Sequence, residues 1–304
     1  MLRALSAVVA SFFLLPLSVA NAWCQSLSVV GGSSGCRQAC LRLDDFTPAE
    51  RESRNIVPLA WERPCIEYAI HEAGARDLPI ADVERIIAGA FARWTSAECG
   101  GRTPGFMVRP SAAPGECSVP EYVPNGSNAN TFTFVDDWSD RGLAGGAFAL
   151  TTTWFSTRTG EIFDADMEIN QEFWDWADCP EEGCSDGRID LDNTVTHELG
   201  HFFGLAHTPD DPEATMWACA DEGETKKRTL EVDDITGICT IYPPGAFAEE
   251  CDFRPRGGFD PACRADRSGG CGCTTPGSAE GSWIWAFFVV GVALRRWRAS
   301  RSTR

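Results

Sequence analysis

Residues 197–207 read His-Glu-Leu-Gly-His-Phe-Phe-Gly-Leu-Ala-His, the pattern H-E-x-x-H-x-x-G-x-x-H. His197 and His201 are four apart, so on a helix they stack on one face. Two imidazoles so placed can reach one cation at Zn–N distances of about 2.0–2.1 Å. Glu198 follows the first histidine, where its carboxylate can hold and deprotonate a water on that cation. Gly204 can adopt φ > 0 and end the helix in a sharp turn. The turn can bring His207 back as a third ligand. Three protein ligands and one open position describe a catalytic zinc site rather than a structural one. The chain has 4 histidines and three fall in this stretch, so chance spacing explains it poorly.

Two neighbours extend the pattern. Thr208 follows the third histidine, and Met216 lies in Ala214-Thr215-Met216-Trp217. Together these residues resemble the metzincin metallopeptidases and, within them, the matrixin-like branch. Val232-Asp233-Asp234-Ile235-Thr236-Gly237-Ile238, followed by Ile241-Tyr242, resembles that family's closing helix. The resemblance covers residues 61–243 and is strongest from 161 onward. It implies an α+β, zincin-like catalytic domain: a mixed twisted β-sheet, a long N-terminal helix, an active-site helix and a C-terminal helix. It also implies Met216 as a hydrophobic floor under the metal, one catalytic Zn2+, and a monomer that hydrolyses peptide or protein substrates. Glu198 would serve first as general base and then as general acid. The competing reading is a matrixin fold used as a non-catalytic surface binding module. Glu198 separates the two, because a degenerate binder has no reason to keep it.

Composition narrows the setting. A formal charge of −18 argues against nucleic acid, whose phosphates need clustered Lys and Arg. Fourteen cysteines without a tandem C-x₂-C ribbon read as disulfides in an oxidising compartment. Cys179–Cys184 suggests a local clip, and Cys219–Cys239 a tie between the Met216 region and the last helix. The N-terminus agrees: Arg3, the apolar run from Ala4 to Leu15 and Ala20-Asn21-Ala22 form a signal peptide over 1–22, cleaved after Ala22.

Residues 23–60 are rich in Gly, Ser and Cys and then charged, fitting a disulfide cap or a short pro-segment. Many matrixins are kept latent by a pro-segment cysteine on the zinc. That family's pro-segment motif is absent here, and Cys36 and Cys40 are better read as disulfide partners. A catalytic domain is expected over 61–244. Cys65–Ile70 reads as a strand. Val83, Ile86, Ile87, Ala90, Phe91 and Trp94 recur at helical spacing between Pro79 and Gly100-Gly101. Phe106–Arg109 and Thr131–Val135 read as further strands. Asp192 or Asn193 is placed to cap the helix that carries the histidines.

A hairpin at 147–170 bears on function. Its second arm alternates, with Phe163, Ala165, Met167 and Ile169 on one face and Asp164, Asp166, Glu168 and Asn170 on the other. Asp164, Asp166 and Glu168 could ligate Ca2+ or form a plain solvated face. In matrixins a substrate peptide adds to the strand that borders the cleft; here that edge would be about 147–153, centred on Ala149, Leu150 and Thr151. Matrixins often hold a second zinc through histidines in this region. Ile162 stands where one would be expected, and only His71 remains outside the main motif.

Residues 245–270 read as a Cys/Gly/Pro-rich linker. Residues 271–304 open on Cys271-Gly272-Cys273, continue to the apolar run Trp283–Leu294 and end in Arg-rich sequence. They resemble MYXO-CTERM-type sorting tails, which would bring the protein to the membrane before processing and leave it secreted or on the cell surface. A plain C-terminal transmembrane anchor is the other reading. Twelve apolar residues fall short of the roughly 20 that a span needs.

Overall fold

The computed structural model describes residues 23–29, 33, 34, 36–246 and 251–262. The expected signal peptide and the tail from residue 271 lie outside the described residues. No described helix is long and apolar enough to cross a membrane.

In chain order the elements are β1 (Cys24–Gln25), β2 (Ser33–Ser34), β3 (Arg37–Gln38), α1 (Pro48–Arg54), β4 (Cys65–Ile70), α2 (Ile80–Thr95), β5 (Met107–Pro110), β6 (Asn130–Val135), β7 (Ala149–Phe155), β8 (Ile162–Asn170), β9 (Trp176–Ala177), β10 (Ile189–Asp190), α3 (Leu191–Phe202), β11 (Leu205–Ala206) and α4 (Val232–Ile241). The main sheet has the order β5-β4-β6-β8-β7. Four strands are parallel, and β7 returns antiparallel along β8 as the outer edge. The architecture is α+β with a mixed sheet.

The core lies between this sheet and helices α2 and α3. Val83, Ile86, Ile87, Ala90, Phe91 and Trp94 form the buried stripe of α2. Phe91 stacks on Tyr68 at 4.5 Å and meets Phe132 and Phe202 edge-on, arrangements that aromatic quadrupoles favour. Three side-chain donors tether α3, and two of them satisfy carbonyls that the helix terminus leaves open. Trp94 Nε1 donates to the Thr196 carbonyl (2.9 Å), Trp61 Nε1 to Phe202 (2.8 Å) and the Tyr242 hydroxyl to Phe203 (2.9 Å).

The other face of the sheet departs from the sequence reading. Asp164, Asp166, Glu168 and Asn170 are not a solvated face; all four are buried. The segment before β6 and residues 251–262 cover them. Asp166 accepts from the Thr131 and Glu121 amides at 2.7 and 3.0 Å. Glu116 and Cys117 amides donate to Pro261, and the Asn128 amide to Gly258. Alternation along one strand reports its pleat, not what the rest of the chain lays over it. Residues 251–262 of the stretch read as linker are thus packed against the sheet, and a Cys65–Cys251 disulfide holds their start.

Further disulfides join Cys24–Cys40, Cys36–Cys219, Cys99–Cys239 and Cys179–Cys184. The local clip is present. The suggested Cys219–Cys239 tie is not: Cys219 pairs across 183 residues with Cys36, and Cys239 with Cys99 across 140. Sequence proximity carries no information about such partners.

Candidate metal centre

Helix α3 is buried along its whole length, so its polar side chains must find partners inside the protein. Its N-cap is neither Asp192 nor Asn193 but Asp190, whose side chain accepts from the Asn193 amide at 2.8 Å. Arg228 pairs with the same carboxylate. Asp192 instead binds Arg93 of α2 through two bonds of 2.5 and 2.6 Å, a bidentate geometry suited to guanidinium and carboxylate. The Asn193 side chain accepts from the Lys227 amide. The two positions expected to cap the helix are thus engaged elsewhere, Asp192 by Arg93 and Asn193 by the Lys227 amide.

His197 and His201 project from the last two turns of α3. At Gly204 φ is +86°, and a Cβ there would lie 2.4 Å from the Leu59 carbonyl oxygen, so only glycine fits the turn. The turn returns His207 toward the helix. Nε2 of His207 lies 3.1 Å from Nε2 of both His197 and His201. Ligands sharing one tetrahedral ion at about 2.0–2.1 Å stand about this far apart. His197 Nδ1 faces the Thr215 carbonyl at 2.6 Å and His201 Nδ1 the Leu205 carbonyl at 2.9 Å. A carbonyl can only accept, so each Nδ1 carries the proton and each Nε2 presents its lone pair inward. Burial drives all three imidazoles toward the neutral form, His201 to about 4 and His197 and His207 well below the usual range. Three neutral, inward-facing nitrogens fit a cation such as zinc. They are the one such cluster of histidine, cysteine or acidic groups among the described residues.

Met216 lies beneath the triad. Its sulfur packs against Gly200 so closely that a Cβ there would stand 2.1 Å from Sδ. Asp234, fully buried, holds this turn from below: its oxygens accept from the Thr215, Met216 and Glu231 amides at 2.8, 3.0 and 2.9 Å. Burial lifts its carboxyl to about 6 despite these bonds. Thr215 thereby links Asp234 to His197. Thr208 donates its amide to the Met216 carbonyl at 2.9 Å and its hydroxyl to Asp233 at 2.6 Å. In sequence Asp234 stands out only as a member of the closing helix; its one local mark is the three-residue spacing to Glu231, with which it forms a capping box.

Glu198 is buried and lines one cavity with His197, Phe148, Ala149, Trp217, Ala218 and Lys227. Thr151 of β7 places its hydroxyl 2.8 Å from Glu198 Oε2. Burial raises the Glu198 carboxyl to about 7, against the pull of Thr151. Of the three residues read as a substrate edge, Ala149 lines the cavity and Thr151 contacts Glu198. Leu150 points away into a small cluster with Val135, Trp138 and Ala147. His71 lies apart from this centre, where its ring accepts from the Ala73 amide. Ile162 packs in the core near Gly204.

The acidic strand adds a second feature. Both Asp164 oxygens are buried with no hydrogen-bond partner, as is the Thr152 hydroxyl. Thr152 stands opposite Asp166 in register, and Asp164 lies on the same face. Glu168 is neutralised by Arg141 at 2.6 Å and is not part of this unpartnered group.

Residues 131–243 match the matrixin family of peptidases. The chain is 25% identical over 185 residues to metalloendoproteinase 1-MMP of Arabidopsis thaliana, covering 60% of this chain and 44% of that protein. It is 28% identical over 194 residues to human neutrophil collagenase (60% and 33%) and 28% over 182 residues to human matrilysin (60% and 58%). The chain thus spans between a third and three-fifths of the length of these relatives. A matrixin domain implies the metzincin fold, and the family uses a catalytic zinc.

Proposed function

We propose that this chain is an exported zinc-dependent endopeptidase whose metal is held by His197, His201 and His207. The observation that carries the reading is three buried imidazoles converging through Nε2, with Glu198 lining the adjoining cavity. A zinc ion bound there supplies a Lewis acid for a water and for the scissile carbonyl. Glu198 takes the proton from the attacking water and returns it to the leaving amine. Its place next to His197, and the Thr151 hydroxyl on its Oε2, support that role. Edge strand β7 and the Trp217–Ala218 wall flank the cavity, which suits an extended peptide pairing along β7 with one side chain in the cavity. Met216 supports the ligands from below. The signal-like N-terminus and the disulfides support export; the Arg-rich tail supports sorting to the cell envelope.

We further propose that Asp164 and Asp166 bind Ca2+. Both Asp164 oxygens are buried without a partner beside Asp166 on the same face, and carboxylate oxygens so placed are what Ca2+ takes as ligands.

The test is zinc content and cleavage of a denatured protein substrate by the full chain, beside Glu198→Gln and a chelated sample. Zinc bound with activity lost in both treatments is the expected result. Activity surviving both would overturn the mechanism. Zinc bound without cleavage of any peptide would favour a binding module.

A further inference from the structure

Residues 23–60 read from sequence as a cap or a removable pro-segment, and they lie outside the stretch that matches the matrixin family. Their contacts give them a different relation to the metal centre. The turn that carries His207 runs through Gly204, Leu205 and Ala206, and residues 24–26 lie along it. Strand β1 pairs with β11 in the register Cys24↔Ala206 and Gln25↔Leu205. The Ser26 amide donates to the Gly204 carbonyl at 2.8 Å. The Ser26 hydroxyl donates to the Leu205 carbonyl at 3.0 Å. That carbonyl also receives His201 Nδ1. Ser26 and His201 thus share one acceptor, and that acceptor sits two residues before His207.

The rest of the segment braces this contact. Ser26 O accepts from the Leu59 amide at 2.8 Å, and the Gln25 side chain donates to the Leu59 carbonyl at 2.9 Å. The same Leu59 carbonyl fills the space where Gly204 would carry a Cβ. Farther along, Cys36 is bonded to Cys219 on the cavity wall. Cys36 and Cys40, the two thiols that could have capped a metal, are both in disulfides.

We propose that Ser26 is a positioning residue for the metal centre, and that residues 23–60 form a permanent brace on it rather than an inhibitory pro-segment. Partners of ligating histidines fix ring orientation, and their loss typically weakens metal binding by roughly 10–100-fold. Ser26 acts through a shared carbonyl, so the lower end of that range applies. The inference rests on the three histidines binding metal, not on the chain being a peptidase.

The experiment measures zinc affinity of the full, oxidised chain by chelator competition, and the visible absorption spectrum of its Co2+ form. Wild type is compared with Ser26→Ala, Ser26→Thr and Ser28→Ala. Ser28 belongs to the same segment but donates its hydroxyl to Asn55. Ser26→Ala is expected to weaken zinc about tenfold and shift the cobalt bands, Ser26→Thr to restore both, and Ser28→Ala to leave both unchanged. Zinc affinity of Ser26→Ala within twofold of wild type would overturn the proposal. So would equal weakening by both alanine variants, or a Ser26→Thr no better than alanine. A wild type that binds zinc but cleaves nothing fails the peptidase reading and leaves these ratios to decide the brace. A wild type that binds no zinc overturns both.

Discussion

Gly200 sits between the two helical histidines, and replacing it with alanine tests how the floor supports the site. An alanine Cβ would lie 2.1 Å from Met216 Sδ, 2.9 Å from its Cε and 3.2 Å from Trp94 Cζ2. Carbon–sulfur contact needs close to 4 Å, so the sulfur must move by roughly 2 Å or α3 must lift. Met216 has little room, because its side chain is fully buried in the packed core. Overpacking of this kind costs about 1–3 kcal/mol. Alanine returns about 0.5–1 kcal/mol in helix propensity. The net expectation is a loss of about 1–2 kcal/mol, or a fall of roughly 2–8 °C in melting temperature. The assay is a double-mutant cycle with Met216→Ala, read by denaturant unfolding with disulfides intact and by zinc affinity. In the Met216→Ala background Gly200→Ala should become neutral or stabilising, giving a coupling of about 2 kcal/mol. A Gly200→Ala variant that melts above wild type, or a coupling under about 0.5 kcal/mol, would refute the reasoning.

Asp234→Ala should cost about 3–5 kcal/mol, since it leaves three buried amides unpaired, and zinc affinity should fall with it; a stability change under about 1 kcal/mol would remove Asp234 as the anchor of the turn. Thr151→Val should leave the fold intact but move the acidic limb of the pH–activity profile upward, because the hydroxyl bond that favours ionised Glu198 is lost; an unchanged limb would count against that contact. Burial holds the Asp166 carboxyl up at about 8, so the native state keeps a proton that the unfolded chain releases above about pH 4. Without calcium, the stability this group contributes is therefore full below about pH 4 and lost as pH rises through 8, and Asp166→Asn should flatten that decline. Added Ca2+ should raise the melting temperature of wild type at pH 8 and leave Asp164→Asn unmoved; equal shifts in both would exclude the proposed calcium site.

The legible parts of this molecule were the periodic ones. The apolar stripe of α2 appears in the sequence at the positions that are buried, and the H-E-x-x-H spacing needs only helix geometry to bring two rings together. Gly204 was readable because a third histidine three residues on requires a reversal. What escaped were facts about partners. Asp190 outcompetes Asp192 as N-cap because Arg93 claims the latter and Arg228 the former. The β8 carboxylates look solvated because nothing in their own strand announces the segments from distant positions that cover them. Ser26 carries no local signal, since its meaning lies in a carbonyl 179 residues away.

The long-range disulfides have a consequence for durability. Cys36–Cys219, Cys65–Cys251 and Cys99–Cys239 each enclose the whole stretch from 100 to 218. A single backbone cut in the surface loops between β5 and β6 therefore does not let the halves separate. The molecule is stitched so that, once nicked there, it stays one particle, held by bonds that only a reductant opens.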